Sequence, residues 1–153
     1  MRGAAIIIGE AFRTGGQHSR IRGEAGSFEE QMLACKSQLQ WMQDTGYIFD
    51  VCLVSYSTMY NEELKSAYGQ MLKYDCFLQE CIGLNNLFHR AVAMISPNDY
   101  DFIIYIRVDI FLKRWMWENF QPNAVIQFPS ICMKPYHVVC GAPRVNDTML
   151  YIP

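Results

Sequence analysis

The chain has 153 residues, 51% of them hydrophobic, which is enough to bury one core and too few for two ordinary domains. A formal net charge of -2 and a pI near 5.9 exclude the strongly basic surface that nucleic acid or an anionic membrane selects. The N-terminal apolar run is too short for a signal-peptide core or a bilayer span, so a cytoplasmic protein with no membrane segment is expected.

The first predicted element is a strand at Ala4–Ile8, a continuous β-branched run that suits burial on both faces of a largely parallel sheet. A long Gly- and Arg-rich loop, "GEAFRTGGQHSRIRGEAG", follows. Ser27 then predicts a helix start, with Glu30 completing a capping box. Phe28, Met32, Cys35, Leu39 and Met42 form the predicted buried stripe of that helix, and Gly46 ends it. "YIFDVCLVSYS" reads as the second strand, "NEELKSAYG" as a short exposed helix, and Leu84 to Ile95 as a third helix stopped by "SPND". "YDFIIYIRVDIFLK", Tyr100 to Lys113, reads as the third long strand. A turn of helix at "RWMWENF", strands near Val125 to Phe128 and Ile131 to Met133, and a last strand at Met149 to Ile152 complete the pass.

The alternation of strand and helix predicts one α/β domain over residues 1–153, a mostly parallel sheet flanked by helices. A final strand with nothing packed after it leads us to expect a further C-terminal piece. The six cysteines, Cys35, Cys52, Cys76, Cys81, Cys132 and Cys140, form no C-x-x-C pair and read as buried thiols in a reducing compartment rather than a zinc site.

In open α/β sheets ligands bind beyond the carboxyl ends of the strands, and three such ends are polar here. In the first, Gly9 allows close backbone approach, Glu10 follows, and Arg13, Arg20 and Arg22 can fork onto phosphate oxygens; solvated loop arginines are the alternative. Neither a G-x-G-x-x-G fingerprint nor a G-K-[ST] ending is present there. In the second, Tyr56 either lies against a base or forms the core edge. In the third, "RVD", Asp109 can ligate a hard divalent ion completed by substrate phosphates. Residues two apart on a strand share a face, so an Arg107–Asp109 ion pair is the competing reading.

Asn85, Asn86 and Arg90 open the third helix, where the dipole suits an anion and asparagine also serves as an ordinary cap. A later cluster holds Lys134, His137, Arg144, Asn146 and Asp147.

The phrases "GEAFRTGG", "YDFIIYIRVDIFLK" and "PRVNDTMLYIP", in that order, resemble the small GT-A glycosyltransferases of large DNA viruses, above all the rhamnosyltransferase domains that build chlorella virus capsid glycans. The resemblance covers nearly the whole chain. It implies a GT-A nucleotide-sugar fold in which the first strand and its Gly-Arg loop hold uridine. It also implies an Asp-X-Asp motif that binds Mn2+ or Mg2+ on the diphosphate. Here that motif falls on Arg107, Val108 and Asp109, so only its second acidic position is kept; a metal would need another protein ligand, or the arginine replaces part of its charge.

The implied donor is a UDP-sugar, UDP-L-rhamnose with UDP-glucose as surrogate, and the implied acceptor an oligosaccharide or glycoprotein in the host cytoplasm. Asp109 and Asp147 are the candidate catalytic carboxylates, Asp109 the metal ligand, and Gly9, Glu10, Arg13, Tyr56, Asn85, Arg90 and Arg107 the candidate nucleotide contacts. Inverting transfer would use Asp147 as base, whereas the resemblance favours retention. The alternative is a nucleotide- or carbohydrate-binding module without catalysis. A phosphohydrolase would want clustered carboxylates, for which only Asp109 and Asp147 offer themselves.

Overall fold

The computed structural model describes residues 1–14, 21–22, 27–112, 122 and 149–152. The expected helix at "RWMWENF", the two strands expected between Val125 and Met133, Arg20, Cys132, Cys140 and the cluster from Lys134 to Asp147 lie outside them.

Strands β1 (Arg2–Gly9), β4 (Ile48–Tyr56), β5 (Leu72–Leu78), β6 (Phe102–Arg107) and β7 (Met149–Ile152) form one sheet in the order β5-β4-β1-β6-β7. The first four are parallel, and β7 is antiparallel to β6. Two short strands, β2 (Arg13–Thr14) and β3 (Ile21–Arg22), pair as a separate antiparallel ribbon. The helices are α1 (Phe28–Asp44), α2 (Asn61–Tyr68) and α3 (Leu84–Met94). The α/β expectation therefore holds: a four-stranded parallel sheet is flanked by helices.

Beyond Arg2, β1 is apolar because both its faces are covered. Ala5 and Ile7 join Val51, Leu53, Ile104 and Ile106 under Trp41 and Met42 of α1 and Leu64 and Tyr68 of α2. Ala4, Ile6 and Ile8 point the other way and pack with Cys52, Val54 and Tyr105 against Leu87, Ala91 and Ile95. The two-residue period of a strand thus divides one continuous run between two cores. At Gly3 a Cβ would lie 2.5 Å from the Phe102 ring, so the close β1–β6 approach there requires glycine.

Several expectations need correction. Ser27 precedes α1 but makes no side-chain capping bond. The buried face of α1 is Gln31, Ala34, Cys35, Gln38, Trp41 and Met42, so the stripe is rotated from the predicted one, and Phe28, Met32 and Leu39 are only half-buried. α2 is not merely an exposed helix, since Leu64 and Tyr68 enter the core. Residues 72–78, assigned no element from sequence, form edge strand β5. β6 stops at Arg107 rather than running to Lys113, because a turn follows in which the Ile110 amide donates to the Arg107 carbonyl. Cys35 and Cys52 are buried free thiols as expected, but Cys81 is exposed. Gly46 does follow α1 with φ +72°, the left-handed conformation expected of it.

The chain runs outward from β1 to β4 and β5 with α1 and α2 on one face, then returns through α3 on the other face to β6 on the opposite side of β1. The strand order therefore reverses between β1 and β6. Their carboxyl ends are the topological switch point, where an open α/β sheet leaves a crevice for a ligand. No helix among the described residues is long and apolar enough to cross a membrane.

Candidate functional site at the switch point

The exit of β1 is shaped by two backbone positions. Gly9 has φ +136°, and a Cβ there would meet Val108 Cγ1 at 3.3 Å. Its carbonyl accepts a 2.8 Å bond from the buried Ser55 hydroxyl of β4. Three residues on, Phe12 has φ 53°, unusual for an aromatic residue and costly by roughly 1–2 kcal/mol. The packing that holds it there is visible: the ring is fully buried, lies 4.9 Å from the Tyr60 ring and 5.6 Å from Phe28, and the amide donates to Gln31 Oε1. This forced bend precedes Arg13.

Arg13 Nη2 donates to Asp109 Oδ2 at 2.5 Å. Arg107, the last residue of β6, holds the same carboxylate side-on, Nε to Oδ1 at 3.1 Å and Nη2 to Oδ2 at 2.8 Å. One carboxylate oxygen thus receives two guanidinium groups, and the three side chains remain 24%, 22% and 17% exposed for Arg13, Arg107 and Asp109. The cluster carries two positive charges and one negative. Its side chains are buried enough for their charges to act over short range with reduced screening.

α1 supplies the frame. Gln38, with no exposed surface, donates through Nε2 to the carbonyls of Arg107, Val108 and Ile110 at 3.1, 3.3 and 2.7 Å. Its Oε1 accepts from the Tyr68 hydroxyl at 2.8 Å. Burial, reinforced by the neighbouring Cys35, pushes the Tyr68 phenol well above its ordinary pKa, so it stays a donor. Gln31 donates to the Val108 carbonyl at 2.7 Å, and the Ser37 hydroxyl accepts from the Leu112 amide at 2.9 Å. Among the described residues the carbonyls of the turn after β6 have no strand partner, and the two glutamines satisfy them. Sequence reading missed Gln31 and Gln38; the available signal was their i, i+7 spacing on the same face as Cys35 and Trp41.

Of the candidate residues, Gly9, Arg13, Arg107 and Asp109 come together, with Glu10, half-buried, immediately beyond Gly9. Tyr56 does not offer its face to a base: it is 3% exposed, packs in the α3 core, and its hydroxyl accepts from the Gly83 amide at 3.0 Å. It is the core-edge residue of the competing reading. Asn85 and Arg90 are exposed on α3, which follows β5 and lies across the sheet from α1, and Asn86 bonds back to the Ile82 carbonyl. Asp147 lies outside the described residues.

The metal expectation meets a specific obstacle at Asp109. Both carboxylate oxygens already accept from guanidinium groups, so a divalent cation would enter beside two positive charges. Among the described residues, no three His, Cys, Asp or Glu side chains gather into a group that could hold a metal ion. Two guanidinium groups converging on one point suit an anion rather than a cation.

No protein-family model, curated protein or solved structure matches the chain.

Proposed function

We propose that the protein is a glycosyltransferase of GT-A type that takes a UDP-sugar, UDP-L-rhamnose or UDP-glucose, and transfers the sugar to an oligosaccharide or glycoprotein acceptor such as a capsid glycan. The observation that carries this reading is the convergence of Arg13 and Arg107 at the switch point between β1 and β6. Fork-shaped guanidinium donors aimed at one point suit the oxygens of a diphosphate.

In such a transfer the bond between the anomeric carbon and the diphosphate oxygen breaks, UDP leaves with the bonding pair, and the acceptor oxygen bonds the anomeric carbon and loses its proton. Negative charge grows on the leaving phosphate. Two arginines fixed in advance stabilise that charge without reorganising at the moment of reaction. Retention of configuration needs little further side-chain chemistry, and it is the course that the resemblance favours. The Mn2+ or Mg2+ that the resemblance implies would act on the same charge, but Asp109 as paired here does not fit as its ligand, and no step is assigned to it.

Incubation with UDP-L-rhamnose or UDP-glucose and a glycan acceptor tests the reading. Acceptor-dependent UDP release supports transfer. Nucleotide binding without release in any combination would favour the non-catalytic binding module.

A further inference from the structure

We propose that Asp109 is a built-in anion placeholder, occupying with its carboxylate the seat that a diphosphate takes, and that the ligand enters by displacing it from Arg13 and Arg107. The inference rests on reading this site as a diphosphate seat.

Three observations lead to it. First, Asp109 Oδ2 accepts from both arginines, which is the way a phosphate oxygen would be held between two guanidinium forks. Secondly, the backbone around the carboxylate is clamped. The Val108 amide donates to the Ile8 carbonyl at 2.8 Å, and the Val108 and Ile110 carbonyls are held by Gln31 and Gln38. The Asp109 side chain can therefore leave by a rotamer change, with no movement of the strand end. Thirdly, Arg13 and Arg107 arrive from different elements and meet on a single carboxylate oxygen. The carboxylate holds them in the geometry that a diphosphate needs, and its own negative charge opposes that diphosphate until it swings away.

A placeholder lowers apparent affinity by the fraction of time that it occupies the seat. Asp109→Asn keeps the shape and removes the charge, so it should bind pyrophosphate about 10-fold more tightly where the carboxylate occupies the seat roughly nine-tenths of the time. A metal ligand behaves oppositely: its loss weakens diphosphate binding and removes any dependence on the cation.

The test is calorimetric titration of the full chain with pyrophosphate in EDTA, using the unmodified protein, Asp109→Asn and Arg13→Ala. We expect binding by the unmodified protein without metal, tighter binding by Asp109→Asn, and at least 10-fold weaker binding by Arg13→Ala. Equal or weaker binding by Asp109→Asn overturns the placeholder, as does binding that appears only when Mn2+ or Mg2+ is added. Should Asp109→Asn fail to fold, the NMR signal of the Arg107 Nε–H group in the unmodified protein decides the matter. The signal must move when pyrophosphate saturates the site in EDTA, and a signal that stays fixed overturns the proposal. Failure of both pyrophosphate and UDP to bind, with or without metal, would bring down the diphosphate reading itself. UDP binding only with metal would bring down the placeholder alone.

Discussion

Arg13 and Asp109, 96 positions apart in sequence, are joined by a guanidinium–carboxylate bond that ties the exit of β1 to the exit of β6. The bond crosses the point at which the strand order reverses. Both halves of the proposed ligand seat therefore come from the fold's topology, and changes at either end should be felt at the other.

Arg13→Ala should weaken UDP binding by about 1–3 kcal/mol, the range for a charge-assisted hydrogen bond. It also leaves Asp109 held by Arg107, so the fold should lose no more than about 1 kcal/mol. Titration and urea unfolding of the same variant check both figures. An unchanged dissociation constant with an intact fold would make Arg13 a structural partner of Asp109 only.

Asp109→Asn should cost about 1–3 kcal/mol of stability in the absence of ligand, because it removes the charge that both Arg13 and Arg107 bond in a partly buried site. The metal-site expectation, with an unpaired carboxylate, anticipates almost no loss. Melting curves without nucleotide separate the two.

Gln38→Leu keeps the volume of a buried side chain and removes the donor to three carbonyls. We expect a loss of about 2–4 kcal/mol, large for one residue, since the carbonyls and the Tyr68 hydroxyl are left without this partner. Nucleotide affinity should fall as well, because Arg107 and Asp109 sit on the segment that Gln38 holds. A cost under about 0.5 kcal/mol in urea unfolding would show that water replaces the amide freely.

Phe12 offers a test of backbone strain. Both Phe12→Ala and Phe12→Gly lose a buried ring, worth about 3–5 kcal/mol, but only glycine accepts φ 53° without penalty. The usual order, in which alanine is the more stable, should therefore vanish or reverse. A Phe12→Gly protein that is clearly less stable than Phe12→Ala would mean that the bend relaxes once the ring is gone.

At the opposite, amino-terminal edge of the sheet, Asp50 accepts from Arg2, Lys73 and the Tyr100 hydroxyl at 2.8, 3.0 and 2.9 Å. Burial alone would raise the Asp50 carboxyl, but bonds from Lys73 and Tyr100 and the charges of Lys73 and Arg2 outweigh it and hold the group below its ordinary 3.8. A carboxylate depressed in the folded state adds stability that is full above its unfolded pKa and is lost as pH falls through the folded value. The unmodified protein should therefore be more stable than Asp50→Asn at pH 7 and lose that advantage below about pH 4. An advantage that persists to pH 2 would show that the cluster does not depend on ionised Asp50.

Periodicity made much of the fold legible. The continuous run of β1, the apolar 51–54 stretch of β4, the capless but strongly patterned α3 and the last strand at Met149–Ile152 all follow from local spacing. β5 was missed because it is an edge strand on which no residue is fully buried, and Phe77 breaks the alternation of Leu72, Tyr74, Cys76 and Leu78 with Lys73 and Asp75. Gln31 and Gln38 were not read because a polar side chain in a helix counts toward solvent until the carbonyls that need it are known. The Arg107–Asp109 pair was visible as two residues sharing a face, whereas the Arg13 contact has no local signal. It exists only because strands β1 and β6 are neighbours in the sheet.

A crystal structure of the protein with UDP shows whether a nucleotide diphosphate sits between Arg13 and Arg107. We expect diphosphate oxygens within hydrogen-bond distance of both guanidinium groups, the uridine directed toward the Gly9 end of β1, and the Asp109 carboxylate turned away. UDP bound elsewhere, with the Arg13–Asp109–Arg107 cluster unchanged, would contradict it.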